Sequence, residues 1–415
     1  MTQIVVTGVG ILSPAARGLE EAWARVLSGR TAAAVDEKLT AIGTPVVLSC
    51  RVPDFDPDAE LGRGSARRLD RFTHLALIAA REAITSAGLA EDGEEAITRV
   101  DADRTGILLG SGIGGAETWE EEYPRYLEKG AGRVSPMFIP KMLSNTAAGT
   151  IAIRSGARGP NMTVNTACAA GASAIHLGRD LLRAGAADVI LAGGAEAGVT
   201  GLSVSAFAQM GALTKNPDPS TASRPFDVDR DGFVIGEGAA ILVLETAEHA
   251  AARGAPALAT VAGAGASGDA HHATAPPQDG GGAILAMRRA LADAGLDPAE
   301  IGHLNAHGTS TPLNDSAESR ALRAVFGAHT DRIAVSSTKG VTGHTLGAAG
   351  AIEAIFAIQA LREGRIPPTA NLVNQDPEIP LDVVTGSPRE ASLGAVMSTS
   401  MGFGGQNAAL VFTPA

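Results

Sequence analysis

Two 17-residue stretches, AAGASAIHLGRDLLRAG at residues 169–185 and AAGAIEAIFAIQALREG at residues 348–364, decide the predicted fold. Both begin with Ala-Ala-Gly-Ala and continue as a helix of small residues that ends at a glycine. The offset is constant, since 348 minus 169 and 364 minus 185 both give 179. A constant offset indicates an internal duplication, although two Ala- and Gly-rich helices can also resemble each other through composition alone. Gly347 occupies the place of Cys168 in the second copy, so the two halves would share a frame and differ in chemistry.

Around these helices, short aliphatic or β-branched runs alternate with alanine-rich stretches, which is the pattern of layered α/β folds. The predicted strands lie at residues 4–7, 106–109, 162–165, 189–192, 240–244, 333–336 and 408–412. The predicted helices lie at residues 19–27, 70–87, 170–184, 282–294, 316–326 and 349–362.

The composition restricts the class of protein. The chain has 415 residues, more than one hydrophobic core usually organises, so two cores or a duplicated core are expected. The formal net charge of -12 argues against a general nucleic-acid binder, which needs a basic surface. The two cysteines, the absence of a signal-like start and the absence of a long apolar run predict a cytoplasmic protein with no disulfides and no membrane span.

Cys168 lies in VNTACAAG at residues 164–171, where a predicted strand meets a helix of small residues. The free N–H groups and the dipole of a helix start would favour the thiolate, which is the form that attacks. A cysteine beside alanines can equally be a buried packing residue. Cys168 by itself therefore leaves both roles open.

Two histidines in glycine-bounded turns favour the catalytic role. His307 occurs in NAHGTSTP at residues 305–312, and His344 occurs in KGVTGHTLG at residues 339–347. Catalytic residues concentrate in such turns. A cysteine together with two such histidines predicts acyl transfer through a covalent intermediate.

At this point the sequence resembles a known family, the elongating β-ketoacyl-acyl carrier protein synthases of the thiolase superfamily, which include synthase II and the type II polyketide ketosynthases. The matching motifs, in order, are TAC at 166–168, NAHGTST at 305–311, Lys339 with Gly343-His344, and GFGG at 402–405. The resemblance covers essentially the whole chain. It implies an α/β thiolase fold of two duplicated αβαβα-layered halves, each with a mixed five-stranded sheet, which we expect at residues 1–250 and 251–415.

The resemblance implies a decarboxylative Claisen condensation, in which an acyl chain on the cysteine is attacked by the carbanion of malonyl carrier protein. It assigns catalytic roles to Cys168, His307, His344, Lys339 and Glu353. It assigns the oxyanion site and the gate to Phe403, Gly402 and Gly404, with the N–H of Cys168 as the second oxyanion donor. It assigns substrate contacts to Ile113, Thr309, Thr311 and His272.

The same resemblance implies partners. Substrates would arrive on the 4′-phosphopantetheine of an acyl carrier protein, with no free cofactor and no metal. Carrier docking is expected at Arg63, Arg67, Arg68, Arg133 and Lys215, although surface arginines are usually only solvated. The enzyme would form a homodimer, or a heterodimer with a chain-length-factor homologue.

Two features depart from the pattern of the family. Gln406 stands where fatty-acid members usually have threonine, and Ala169-Ala170 replaces a more common hydroxyl-bearing pair. Both lie beside the gate or the nucleophile, so they bear on the acyl substrate more than on the reaction. They favour a type II polyketide or polyene pathway, with housekeeping fatty-acid elongation as the close alternative.

Other interpretations are weaker. GSGIGG at residues 110–115 satisfies a dinucleotide fingerprint, but no second strand with a ribose-binding acid follows. His271-His272 has no further ligand at metal spacing. A thiolase would need a second cysteine near the C-terminus, and a non-catalytic chain-length-factor-like subunit would not need to retain the cysteine, the histidines and the lysine.

Overall fold

The computed structural model describes residues 2–91 and 94–415. The strands are β1 Ile4–Leu12, β2 Ala34–Val35, β3 Leu48–Cys50, β4 Thr105–Gly110, β5 Asn161–Val164, β6 Val189–Glu196, β7 Ile235–Gly236, β8 Gly238–Thr246, β9 Ala259–Gly268, β10 Ile301–Asn305, β11 Ala334–Ser336, β12 Arg365–Ile366, β13 Arg389–Glu390, β14 Ala395–Gly402 and β15 Gln406–Thr413. The helices are α1 Leu19–Ser28, α2 Glu37–Ile42, α3 Pro57–Leu61, α4 Arg63–Ala66, α5 Arg71–Ser86, α6 Ala116–Lys129, α7 Phe138–Met142, α8 Thr146–Ser155, α9 Ala170–Arg183, α10 Gly201–Gln209, α11 Ala247–Ala252, α12 Gly281–Ala294, α13 Pro312–Phe326, α14 Lys339–Thr342 and α15 Ala349–Glu363.

The main sheet consists of two matching sets of five strands. Its order is β11-β10-β14-β15-β9-β1-β8-β6-β4-β5. In each set the first strand in sequence pairs antiparallel with the last, the last pairs antiparallel with the fourth, and the fourth, second and third are parallel. The two mixed five-stranded sheets meet where β1 pairs with β9 through Val5 with Thr260 and Val6 with Ala259.

Helices separate and cover these two sheets. Helices α9 and α15 pack on each other and on strands of both sets, and their apolar residues form one buried cluster with both sheets. Helices α5 and α8 cover the outer face of the first set, and α12 and α13 cover the outer face of the second. The result is the expected α/β arrangement of helix, sheet, helix, sheet and helix layers.

The duplicated sequence adopts the same backbone twice. A 3-10 turn precedes each central helix, at Ala167–Ala169 and at Leu346–Ala348. Ala167 and Leu346, 179 residues apart, both have the positive φ that is rare outside glycine, at 47° and 50°. Composition alone does not produce a matched left-handed residue, so the second copy is a structural repeat of the first.

The predicted helices all form, with ends that differ by a few residues. The helix predicted at 316–326 begins at Pro312, because Thr311 caps it and proline suits the first helical turn. Eight of the described strands lie outside the predicted runs: β2, β3, β7, β9, β10, β12, β13 and β14. The two longest of them, β9 and β14, were missed because runs of Gly, Ala, Ser and Met carry little β propensity. Among residues 2–91 and 94–415, no helix has the length and apolar character required to cross a bilayer.

Candidate active site

A cavity of about 350 Å³ lies between the two halves and brings the predicted catalytic residues together. Cys168 contributes from the turn before α9, His307 from the turn after β10, and His344 from the turn before α15. The wall also contains the predicted residues Gly402, Phe403, Thr309, Thr311 and His272. Because parallel strands end at one edge of a sheet, the fold places turns that are distant in sequence around one point.

Cys168 lies in the 3-10 turn that leads into α9, and only 8% of its surface is exposed. The backbone N–H groups of Phe403 and of Cys168 itself both interact with the thiol. Burial raises the pKa of the Cys168 thiol to about 12, although these N–H groups and the charge of Lys339 act in the opposite direction. The N–H groups of the turn thus act in the direction that the sequence predicted, towards the thiolate, but desolvation outweighs them in the free protein.

The backbone around His307 is held by a buried carboxylate. The N–H groups of His307 and Gly308 each donate to Glu318, at 2.8 Å. On the side chain, Nζ of Lys339 lies 3.4 Å from Nδ1 of His307. An ammonium group can only donate, so Nδ1 accepts and the neutral ring carries its proton on Nε2.

His344 has the same tautomer for a different reason. The backbone N–H of Leu346 donates to Nδ1 of His344 at 3.3 Å, which again leaves the proton on Nε2. The rings of His307 and His344 lie edge to face, with centroids 5.3 Å apart. Burial and the charge of Lys339 lower the pKa of both histidines well below the usual value, so both rings are neutral at neutral pH.

Lys339 forms a buried ion pair with Glu353, one turn into α15. Their side chains are 1% and 2% exposed. Burial raises the pKa of Glu353 to about 7, and the charge of Lys339 opposes that rise. The pair anchors the ammonium that orients His307.

The predicted gate is connected to a second loop. Phe403 packs near Phe207, with ring centroids 6.4 Å apart, and the N–H of Gly404 donates to the carbonyl of Ala273 at 2.7 Å. His272 lies at the exposed rim of the cavity, where its Nδ1 accepts the N–H of Thr274 at 3.1 Å. Positions 402–405 and the loop around 272–274 therefore form one hydrogen-bonded unit over the cavity.

Thr309 and Thr311 lie side by side on the cavity wall, with their hydroxyl oxygens 2.9 Å apart. Ile113 is not part of this wall and is 42% exposed. Its side chain instead approaches Gly198, which also faces Leu346 of the cavity wall. The predicted place of Ile113 at the edge of the acyl pocket is thus one residue layer away from the cavity.

The predicted docking residues are all exposed, but they are not gathered at the cavity. The N–H of Lys215 donates to Asp231, a cavity-wall residue, at 2.9 Å. The other four lie on or just after α4, or in the 3-10 turn after α6, and none lines the cavity: Arg63, Arg67, Arg68 and Arg133.

Sequence reasoning missed two buried carboxylates, Glu318 and Glu196. Glu196 fills the glycine-rich turn at residues 111–114, where its oxygens accept backbone N–H groups. A phosphate would need those same N–H groups, so the turn holds a side chain of the protein where the fingerprint suggested a nucleotide. An acidic residue in the buried run AGGAEAG at 192–198 was the available signal.

Within the described part of the chain, no three His, Cys, Asp or Glu side chains are grouped so that they could hold a metal ion. His271 and His272 are both exposed on the loop over the cavity. The groups that the cavity and its surroundings offer for chemistry are the sulfur of Cys168, the imidazoles of His307 and His344, the ammonium of Lys339 and backbone N–H groups.

A duplicated α/β fold with a cysteine before one central helix and two neutral histidines across the cavity defines a condensing enzyme of the thiolase superfamily. Comparison with protein families agrees. The family model described as "Beta-ketoacyl synthase, N-terminal domain" matches residues 1–250, and the model described as "Beta-ketoacyl synthase, C-terminal domain" matches residues 258–373. The chain belongs to the β-ketoacyl synthase family, whose enzymes are acyltransferases that form carbon–carbon bonds.

Individual relatives support the same assignment. A 3-oxoacyl-acyl-carrier-protein synthase 2 of Synechocystis sp. is 44% identical over 411 residues, which is 99% of this chain and 97% of that protein. The structure of the ishigamide ketosynthase/chain length factor is 36% identical with a TM-score of 0.91, and covers 100% of this chain and 99% of that one. A type II polyketide acyl carrier protein in complex with its ketosynthase, bound to the hexaketide, aligns at 30% identity and a TM-score of 0.91, again over 100% and 99%.

Proposed function

We propose that the protein is a β-ketoacyl-acyl carrier protein synthase in which Cys168 carries the acyl chain. The observation that supports this most directly is the pair of fixed tautomers: His307 and His344 both hold Nδ1 as an acceptor and keep Nε2–H as a donor beside Cys168. Two neutral donors in a buried cavity suit the stabilisation of an oxyanion or enolate.

The reaction has two stages. In the first, the Cys168 sulfur attacks the thioester carbonyl of an acyl carrier protein, loses its proton and displaces the carrier thiol. The N–H groups of Cys168 and Phe403, which interact with the sulfur, are the donors for the oxyanion of this step.

In the second stage, malonyl carrier protein loses carbon dioxide, and the negative charge develops on its thioester oxygen. The Nε2–H groups of His307 and His344 donate to that oxygen. The resulting carbanion attacks the acyl-Cys168 carbonyl, and a carbon–carbon bond forms as the carbon–sulfur bond to Cys168 breaks. The released thiolate takes up a proton from solvent, which regenerates the thiol. Lys339, paired with Glu353, keeps His307 in its donating tautomer.

Intact-protein mass spectrometry tests the first stage. After incubation with acyl carrier protein, we expect one acyl adduct on the protein, absent from Cys168→Ala and retained in Cys50→Ala, which removes the other buried cysteine. Addition of malonyl carrier protein should discharge the adduct and release a β-ketoacyl product. Failure of the wild type to form an adduct would favour the non-catalytic subunit.

For the pathway, we propose type II polyketide or polyene synthesis, supported by Gln406, by Ala169-Ala170 and by the likeness to the ishigamide ketosynthase/chain length factor. Fatty-acid elongation is the second candidate, because the curated relative from Synechocystis sp. is a synthase 2. Product analysis with and without a co-expressed homologue that lacks the cysteine separates the two. If the protein alone elongates saturated acyl chains at full rate, the result would support fatty-acid elongation.

We also propose a dimer through the free edge of β5. The strand is at one end of the ten-stranded sheet. The N–H and C=O groups along the outer side of an edge strand can pair with a strand of another chain. Apolar side chains of β5 and of α8, which packs against it, are exposed: Met162 at 39% and Ile153 at 82%. Ile153→Lys should shift the protein to monomer in size-exclusion chromatography, whereas Val373→Lys, which changes a side chain 79% exposed elsewhere on the surface, should not.

The carrier protein is proposed to dock on the exposed arginines predicted above. Arg67→Glu with Arg68→Glu should raise the KM for carrier-bound substrate and leave kcat nearly constant, since rim charges act mainly on encounter. An unchanged KM would exclude this docking site.

For the chain as a whole, we propose that residues 1–250 supply the nucleophile and that residues 251–415 supply the decarboxylation residues. The family matches at residues 1–250 and 258–373 support this division.

A further inference from the structure

Glu196, at the end of β6, is a fully buried carboxylate that joins two turns of the cavity region. Its Oε2 accepts the N–H of Gly112 at 2.6 Å and the N–H of Gly347 at 3.0 Å. Its Oε1 accepts the hydroxyl of Ser111 at 3.0 Å and the N–H of Ile113 at 3.2 Å. One side chain therefore holds the turn after β4 and the turn before α15.

This arrangement has a counterpart in the other half. Strand β4 of the first set corresponds to β10 of the second, and the turn after β10 is also held by a buried carboxylate, because Glu318 accepts the N–H groups of His307 and Gly308. In that half the clamped turn carries a catalytic histidine. In the first half the clamped turn carries Ile113.

The two turns that Glu196 joins meet beside the cavity wall, at Gly198. Ile113 and Leu346 both approach Gly198, where an added Cβ would lie 2.8 Å from Cδ1 of Leu346 and 3.6 Å from Cδ1 of Ile113. Leu346 lines the cavity and precedes the clamped Gly347. The spacing of the two side chains is therefore set through the carboxylate of Glu196.

The hydrogen bonds also define the charge on Glu196. Four of its donors are backbone N–H groups, which cannot accept a proton: Gly112, Ile113, Gly114 and Gly347. Burial raises the pKa of Glu196, whereas these donors lower it. A protonated carboxyl group would need an acceptor for its O–H, and backbone N–H groups can only donate. The ionised carboxylate fits the arrangement, and its negative charge acts on the nearby thiol of Cys168.

We propose that Glu196 is a positioning residue for the condensation, which sets the acyl-chain preference by fixing the Ile113 turn against the Leu346 turn. The proposal rests on the proposed function of Cys168. It assigns Glu196 no contact with the reacting atoms. Glu196 acts through the two turns that it holds and through its charge.

The variants Glu196→Gln and Glu196→Asp separate the effect of side-chain length at position 196 from the effect of its charge. Glutamine keeps the length and removes the charge, and its NH2 group faces N–H donors. Aspartate keeps the charge but is one methylene too short to hold both turns. For both variants we expect the ratio of kcat/KM between long and short acyl chains to change by about tenfold, since displacement of a wall residue by an ångström can change rates up to about 10²-fold.

The rate of alkylation of Cys168 at fixed pH distinguishes the two effects. It should rise in Glu196→Gln, because removal of a nearby negative charge favours the thiolate, and should stay near the wild-type rate in Glu196→Asp. Glu245→Gln serves as the control, since Glu245 is an equally buried carboxylate outside the cavity wall. It should leave both the chain preference and the alkylation rate unchanged.

An unchanged chain preference in both Glu196 variants, with the acyl adduct on Cys168 still formed, would overturn the proposal and leave the proposed function intact. If the glutamine variant does not fold, the chain preference of the aspartate variant decides in the same way. If the wild-type protein forms no acyl adduct on Cys168, the result would instead count against the proposed function itself.

Discussion

Nζ of Lys339 lies 3.4 Å from Nδ1 of His307, and the same ammonium contacts the carboxylate of Glu353. A single buried cation thus fixes the tautomer of one histidine and neutralises an otherwise unpaired acid. Its charge also lowers the pKa of both histidines and of the Cys168 thiol. Lys339 is therefore connected to both stages of the proposed reaction.

Lys339→Met keeps the bulk of the side chain and removes the charge. We expect kcat for condensation to fall by about 10²- to 10⁴-fold, because His307 loses the donor that orients it. Stability should fall by about 3–5 kcal/mol, because Glu353 is left buried and unpaired. Steady-state kinetics and denaturant unfolding measure the two effects separately.

The double variant Lys339→Met with Glu353→Gln provides the matched control. It removes the unpaired charge, so most of the lost stability should return while kcat stays low. If stability and activity return together, Lys339 acts through folding alone and not through His307.

Decarboxylation should be insensitive to acid over the neutral range. The pKa of His307 and of His344 is lowered, so each ring stays neutral as the pH falls through the ordinary histidine value, and the neutral donors are lost only well below it. In Cys168→Ala, which cannot be acylated, release of carbon dioxide from malonyl carrier protein should persist and stay constant from about pH 8 to about pH 6. A fall with a midpoint near pH 6.5 would show that a histidine titrates there, and complete loss of decarboxylation would contradict the separation of the two stages.

Alkylation of Cys168 by iodoacetamide should show the opposite behaviour. Because burial raises the thiol pKa to about 12, the thiolate fraction and the rate should rise about tenfold per pH unit from neutral to alkaline pH, without a plateau. Peptide mass spectrometry separates Cys168 from Cys50. A plateau at or below about pH 8 would mean that the N–H groups and Lys339 outweigh burial.

The sequence was sufficient for the parts of the site that lie in short, distinctive turns. Cys168, His307, His344 and Lys339 each occur in a motif with glycines or hydroxyl residues at fixed spacing, and all four meet in the structure. Glu353 was predicted only through the family resemblance. The turns of Cys168, His307 and His344 could be recognised in the sequence because turn residues carry local information about their conformation.

What the sequence did not reveal depends on contacts over long separations. Glu196 acts on turns 82 to 151 residues away, and no local pattern distinguishes it from a structural acid. Strand β9 was missed for a related reason, because Gly263 and Gly265 are small where helix α12 packs against them, which hides the β pattern. The raised pKa of Cys168 likewise follows from burial by distant segments.

The crossing of the two repeat helices gives a test of the fold. An added Cβ at Gly171 of α9 would lie 2.8 Å from the backbone N of Ala351, and one at Gly350 of α15 would lie 2.8 Å from the N and Cβ of Ala172. The contacts are reciprocal under the 179-residue offset, so Gly171→Ala and Gly350→Ala should each lower the free energy of unfolding by about 1–3 kcal/mol through overpacking. Gly149→Ala is the control, because Gly149 lies inside α8 with no atom near its added Cβ, and there alanine should stabilise the helix by up to about 1 kcal/mol. Denaturant midpoints measure the stability of all three variants. If alanine at Gly171 or Gly350 stabilises the protein, the two central helices can move apart without cost. That result would contradict a core built on close contact between α9 and α15.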